Sequence, residues 1–141
     1  MQKINNLSDY DYEIIEGLID NEGLSYYEIK KDDFICYKEG DKIISFGRIF
    51  NIGGSDYELS SLWVDEKYRG KKLGIEMIND LLKNKFYNDN NLFLACKRDI
   101  QNYYKKVNFE IVDKNIPEKL EGTLRWGKEN NFDAIIMKYI K

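Results

Sequence analysis

The sequence predicts an α/β fold: a mixed sheet of six or seven strands with helices on both faces, in a single domain spanning residues 1–141. Three observations lead there. Short apolar runs separated by turn residues occupy 34–64. Stretches with helical spacing of apolar residues precede and follow that block. Repeats and low-complexity tracts are absent, and the only proline is Pro117, so no interior linker marks a boundary in 141 residues. A chain of 16.8 kDa buries roughly 68% of its unfolded surface, enough for one core.

Taken in order, Lys3-Ile4 opens a short strand. Ser8 reads as an N-cap with Asp11 three residues on, and Tyr12, Ile15 and Ile19 line one face of a helix over 9–20. Residues 21–31 are ambiguous, with a short second helix through Tyr26, Tyr27 and Ile29 as the expectation. Phe34–Lys38 and Lys42–Phe50 flank Glu39-Gly40-Asp41 and read as a hairpin. A second turn at 51–56 leads to a third strand, 57–64. Leu73, Met77 and Leu81 recur at i, i+4 and i+8, with Ile78 and Leu82 widening the stripe, so a helix runs to about Lys85. A buried strand from Leu92 to Cys96 follows. Ile100, Tyr103, Tyr104 and Val107 then mark another helix, and 109–112 and 133–140 two last strands.

Composition closes several routes. A net charge of −3 and a pI near 5.1 argue against a nucleic-acid partner. There is no histidine, which excludes Ser-His-Asp and Cys-His catalysis and histidine metal sites. Cys36 and Cys96 are too few for a zinc cluster and read as small buried strand residues, so no metal is expected. No apolar run approaches the ~20 residues of a membrane span, and no secretory leader is legible, which points to a cytoplasmic protein without a membrane partner.

The richest stretch is Leu59–Gly74, which reads as strand, glycine-bearing cationic loop and helix start. A helix begins with unbonded N–H donors and a partial positive charge, so glycines just before it let an anion approach the backbone. Arg69, Lys71 and Lys72 add charge. The bland reading is a solvated turn with Gly where φ is positive. A P-loop is excluded, because Gly70 and Gly74 are only four apart and Ile75 follows where that motif needs Lys and a hydroxyl. A dinucleotide fingerprint is excluded too.

Arg69-Gly70-Lys71-Lys72-Leu73-Gly74, with Val64 closing the strand before it, resembles motif A of the GNAT superfamily of acyl-CoA-dependent N-acyltransferases. Lys72 stands where that family usually has its middle Gly. Leu92–Cys96 and Ile100–Phe109 resemble motif B: Tyr103-Tyr104 take the aromatic-Tyr place, Lys106 the Lys, Asn108 the Gly and Phe109 the Phe. Asn is the residue that best replaces Gly at a left-handed helix end. The two motifs cover roughly the central third of the chain.

The resemblance implies an N-acetyltransferase that moves an acetyl group from acetyl-CoA, as co-substrate, to a primary amine of a small molecule or protein by direct attack. Coenzyme A carries a pyrophosphate, for which the main-chain N–H groups of Arg69, Gly70, Lys71, Lys72, Leu73 and Gly74 are the expected donors. In the family the pantetheine arm runs beside the preceding strand, here Leu62, Trp63 and Val64. A primary amine is mostly protonated at neutral pH, so a base is needed. Glu58 is the candidate, six residues before Val64 as in histone-type members, against the bland reading of a solvated strand-start carboxylate. Asp56 and Glu66 are weaker candidates. Alternation puts Glu58, Ser60 and Leu62 on one face unless a bulge intervenes. Tyr104 holds the place of the family tyrosine that hydrogen-bonds the departing thiolate, with core packing as its bland reading; Tyr103 reads as core.

The other reading is a non-catalytic acyl-CoA-binding or regulatory domain. Phe109–Pro117 loosely resembles the tail of amino-acid N-acetyltransferases. Residues 9–31 and 113–131, the expected acceptor region, carry no motif. The acceptor, the acyl length and the oligomeric state, a homodimer among the options, stay open.

Overall fold

The computed structural model describes residues 1–141. Its strands are β1 (Gln2–Ile4), β2 (Phe34–Glu39), β3 (Lys42–Gly53), β4 (Asp56–Val64), β5 (Asn91–Lys97), β6 (Phe109–Val112) and β7 (Ala134–Tyr139); its helices are α1 (Asp9–Glu22), α2 (Leu73–Lys85), α3 (Gln101–Lys105) and α4 (Glu118–Glu129). The strands form one seven-stranded sheet in the order β1-β2-β3-β4-β5-β7-β6. It is mixed: β1–β2, β2–β3, β5–β7 and β6–β7 are antiparallel, whereas Asp56–Glu58 of β4 run parallel to Asn91–Phe93 of β5. The chain divides into two compact units, Met1–Ile49 with Ser60–Phe86 and Phe50–Leu59 with Tyr87–Lys141. Strands β3 and β4 pass from one to the other.

In the first unit, Ser8 caps α1 as its sequence suggests, its hydroxyl accepting the Asp11 N–H at 3.1 Å, and Gly23 ends the helix in the left-handed region at φ +66°. Ile15 and Ile19 of α1 cluster with Leu7, Phe34, Cys36, Ile43, Phe46 and Trp63. Gly47, one residue on from Phe46, turns to the opposite face. A Cβ there would lie 3.0 Å from Leu81 and 3.2 Å from Leu62, so glycine lets α2 approach the sheet closely. One helix therefore covers each face of this unit.

The short second helix expected within 21–31 is not formed; only Lys31–Asp33 make a 3-10 turn. Gly23 terminates α1, and Glu28 at φ +42° interrupts any helical run.

In the second unit, Phe93, Leu120 and Ile136 form a core joined by Ile52, Ala95, Val112, Ile116 and Leu124, which seats α4 on one face. Tyr104 of α3 packs edge-on against Phe109, and Asn108 takes φ +68° between them, the left-handed conformation its place in the sequence suggests. The α3 helix is shorter than its apolar spacing implied. Arg98–Ile100 form a 3-10 turn ahead of it, which leaves Ile100 exposed rather than on an inner stripe. The α4 helix was not anticipated from the sequence. Pro117 stands at its N-cap position and its end is pinned by Gly127, where a Cβ would sit 2.7 Å from the Phe132 carbonyl oxygen.

Candidate functional site

The cationic loop lies in the first unit and is built by local bonds. Asp65 donates its N–H to Ile44 O at 2.8 Å, accepts the Lys67 N–H at 2.9 Å and pairs with Lys42 at 3.2 Å. The Lys67 N–H, with the Lys42 ammonium adding to it, holds the Asp65 carboxyl below the usual carboxylate range. Glu66–Tyr68 make a 3-10 turn, and Arg69 folds back so that Nε donates to Val64 O at 2.8 Å. Arg69 also gives its main-chain N–H to Glu66 O at 3.3 Å.

From Gly70 onward the pattern changes. Gly70 has φ +79° and Lys72 φ +64°, and α2 starts at Leu73 with no side-chain cap. The main-chain N–H groups of Gly70, Lys71, Lys72, Leu73 and Gly74 meet no acceptor within the protein. Five donors lie at the positive end of a 13-residue helix, with exposed Lys71 and Lys72 beside them, a chemistry suited to an anion. Lys72, at φ +64°, carries the left-handed conformation that glycine takes most easily.

Strand β4 is irregular just before this loop. Ser61 has φ +55°, so alternation does not carry through it, and Glu58 and Leu62 are not placed on one face by the pleat. Leu62 points toward Gly47 and α2, while Trp63 stacks on Phe46 at 5.3 Å in the α1 cluster. The Trp63 indole N–H is buried and has no acceptor. Ser61 faces Arg48, which is fully buried: Arg48 Nε donates to Ser61 Oγ at 3.1 Å and Nη1 to the Tyr27 carbonyl at 2.7 Å. Ser61 Oγ donates in turn to the Ser25 carbonyl at 3.1 Å. Ser61 is thereby tied to residues 25–27, where Tyr26 and Tyr27 are exposed.

In the second unit, Glu58 is buried rather than solvated. Lys119 Nζ of α4 donates to Glu58 Oε1 at 2.7 Å and lies 5.7 Å from the centre of the Phe50 ring. The Lys119 side chain is only 16% exposed. Asp56, in contrast, accepts the Asn91 side-chain amide at 3.0 Å across the paired first residues of β4 and β5, and Glu66 is exposed in the first unit. Tyr104 packs against Tyr103 and Phe109, and its hydroxyl has no hydrogen-bond partner in the protein. Burial, with Cys96 and Tyr103 adding to it, pushes the phenol well above its ordinary range, so it stays a proton donor. Burial likewise raises the Cys36 thiol to about 12 and the Cys96 thiol to about 11. Both cysteines are free.

Sequence reasoning did not find Lys119 or Arg48. Pro117 followed by Leu120 and Leu124 at helical spacing was the available signal for α4. Nothing local signals a buried arginine. A cavity of about 520 Å³ lined by Lys105, Asn108, Phe109, Glu110, Ile111 and Ile140 includes none of the candidate site residues. No group of three acidic or cysteine side chains is placed to hold a metal, and no helix is long and apolar enough to cross a membrane.

The family model described as "Acetyltransferase (GNAT) domain" matches residues 30–111. The fold is similar to that of Rv2747 from Mycobacterium tuberculosis, solved in complex with CoA and NLQ: TM-score 0.76 and 13% identity, covering 100% of this chain and 99% of that one. Escherichia coli ElaA gives a TM-score of 0.66 at 18% identity over 99% and 97% of the two chains. N-acetylglutamate synthase from Neisseria gonorrhoeae, complexed with coenzyme A and N-acetyl-glutamate, gives 0.71 at 12% identity over 98% of this chain and 34% of that one, so this chain spans about a third of that synthase's length. A search of curated protein sequences finds no match.

Proposed function

Since the chain belongs to the GNAT acetyltransferase family, we propose that it transfers an acetyl group from acetyl-CoA to a primary amine of a small molecule or protein, in the cytoplasm. The observation that carries this is the run of five main-chain N–H groups, Gly70 to Gly74, with no acceptor in the protein at the start of α2. They suit a diphosphate, with Lys71 and Lys72 adding charge and the Arg69 side chain bracing the loop from Val64 O.

On this reading the pantetheine arm follows Leu62, Trp63 and Val64 of β4, and a main-chain N–H there stabilises the oxyanion formed as the amine attacks the thioester, at roughly 3 kcal/mol per donor. Glu58, on the same strand, takes the proton of the acceptor ammonium. Tyr104 donates a hydrogen bond to the departing thiolate; the raised phenol keeps its proton at neutral pH. A structural neighbour solved with N-acetyl-glutamate, an N-acylated amine, supports an amine acceptor.

The non-catalytic acyl-CoA-binding reading has one observation in its favour: the Glu58 carboxylate is held by Lys119. Thiol release from acetyl-CoA with a panel of primary amines separates the two. Amine-dependent release establishes the enzyme, and binding of acetyl-CoA without release under any amine leaves a binding domain.

A further inference from the structure

Lys119 and Glu58 form a hydrogen-bonded ion pair that joins α4 to β4. The Nζ to Oε1 distance of 2.7 Å lies within the range over which a base takes a proton from a nucleophile. The pair is largely shielded from water, with Lys119 16% and Glu58 6% exposed at the side chain, and the Phe50 ring flanks the ammonium. The two residues are 61 apart in sequence, so α4 is what delivers a primary amine to the candidate base. A lysine side chain is itself a primary amine, the acceptor class proposed above.

We infer that Lys119 is a self-acetylation site, modified by acetyl-CoA bound to the same chain. This rests on the acetyl-transfer reading. Glu58 takes one proton from the Lys119 ammonium, and the neutral Nζ attacks the acetyl carbonyl carbon. The new C–N bond forms, the C–S bond breaks and coenzyme A leaves as the thiolate. Nζ loses its second proton as the amide forms. One of the two protons neutralises the thiolate and the other goes to solvent, so a lysine ammonium and acetyl-CoA give acetyl-lysine, free coenzyme A and one proton. A pair that served only to fasten α4 to β4 gives no such product.

The test is peptide-resolved mass spectrometry of the full chain, before and after incubation with acetyl-CoA, run alongside thermal unfolding. The expected result is a single acetyl group on Lys119, gained ahead of exposed lysines such as Lys71 and Lys83, at a rate unchanged by diluting the protein about tenfold, as an intramolecular step requires. Glu58→Gln slows this gain by about 100-fold. Lys119→Arg, which keeps a cation at Glu58, abolishes it while acetyl-CoA still raises the melting temperature. The inference is overturned if acetyl-CoA stabilises the wild type and supports transfer to added amines while Lys119 stays unmodified, or if acetylation there scales with protein concentration. If acetyl-CoA neither stabilises the protein nor yields thiol, the acetyl-transfer reading fails and this inference fails with it.

Discussion

Arg48 Nε donates to Ser61 Oγ at 3.1 Å, and that hydroxyl in turn donates to the Ser25 carbonyl, so one serine at φ +55° links a buried guanidinium to the segment after α1. The left-handed φ and the two hydrogen bonds are separable by mutation. Ser61→Gly keeps the backbone at ease and loses the bonds, about 1.5–3 kcal/mol for the one from the Arg48 guanidinium and about 0.5–1.5 kcal/mol for the one to the Ser25 carbonyl. Ser61→Val loses the same bonds and adds strain of about 1–3 kcal/mol, because a β-branched residue resists positive φ. Urea titration should show the lower midpoint for Ser61→Val at an unchanged slope. Equal midpoints would mean that Ser61 is not held at this φ in solution.

Glu58→Gln should leave acetyl-CoA affinity nearly unchanged and lower kcat for amine transfer by about 100-fold, the scale of a lost general base. The deficit should ease as pH rises and the amine loses its proton unaided. Tyr104→Phe keeps the ring against Tyr103 and Phe109 and removes the hydroxyl, so kcat should fall more mildly with no loss of fold. Wild-type kcat in Glu58→Gln at pH 7 would remove Glu58 as the base.

Alkaline pH should weaken the fold through its buried thiols. Below the ordinary thiol value of 9.0, Cys36 is neutral folded and unfolded and adds no slope. Above it the unfolded chain releases the proton while burial keeps it on the folded thiol up to about 12. The unfolded state then binds fewer protons, so stability falls as pH rises, by up to about 1.4 kcal/mol per pH unit for each such group. Cys96, raised to about 11, acts in the same direction. Urea midpoints between pH 8 and 11 should decline less steeply in Cys36→Ala than in wild type, whatever its stability at neutral pH. Parallel declines would show that Cys36 ionises freely in the folded protein.

In the loop, Lys71 is exposed and its ammonium rests over the Tyr68 ring at 5.6 Å. Lys71→Ala should weaken acetyl-CoA binding several-fold in low salt, and the difference from wild type should shrink as salt screens the charge. Lys72→Gly should retain most of the affinity at high salt, because the conformation at φ +64° suits glycine and the main-chain N–H remains. Calorimetric titration at two ionic strengths measures both. A Lys72→Gly protein that no longer binds would show that its side chain holds the phosphates.

Elements with local punctuation were legible in the sequence. Ser8 with Asp11, Gly40 in its turn, the Gly70 to Gly74 loop and Asn108 each announce a backbone geometry through residue chemistry, and the structure has the expected element beside each. The central strands followed from their apolar runs. What escaped depends on contacts distant in sequence. Arg48 in a strand interior looks like a surface residue until Ser61 and the 25–27 segment close over it. Glu58 looks solvated until Lys119 meets it from α4, a helix diluted by Gly122 and Gly127 and so weak by propensity. The stripe from Ile100 failed because a 3-10 turn changed the period before α3 began.

Binding of acetyl-CoA by the Gly70 to Gly74 main chain is the centre of this account, and the most direct measurement is thermal unfolding of wild type and Gly74→Glu with and without acetyl-CoA. A ligand that binds only the folded state stabilises it by about 2.7 kcal/mol at a hundredfold excess over its dissociation constant. Wild type should therefore melt several degrees higher with acetyl-CoA, and Gly74→Glu, which adds bulk and a negative charge at the start of α2, should show no rise while keeping its circular dichroism. An unchanged wild-type melting temperature at millimolar acetyl-CoA, or an equal rise in Gly74→Glu, would contradict it.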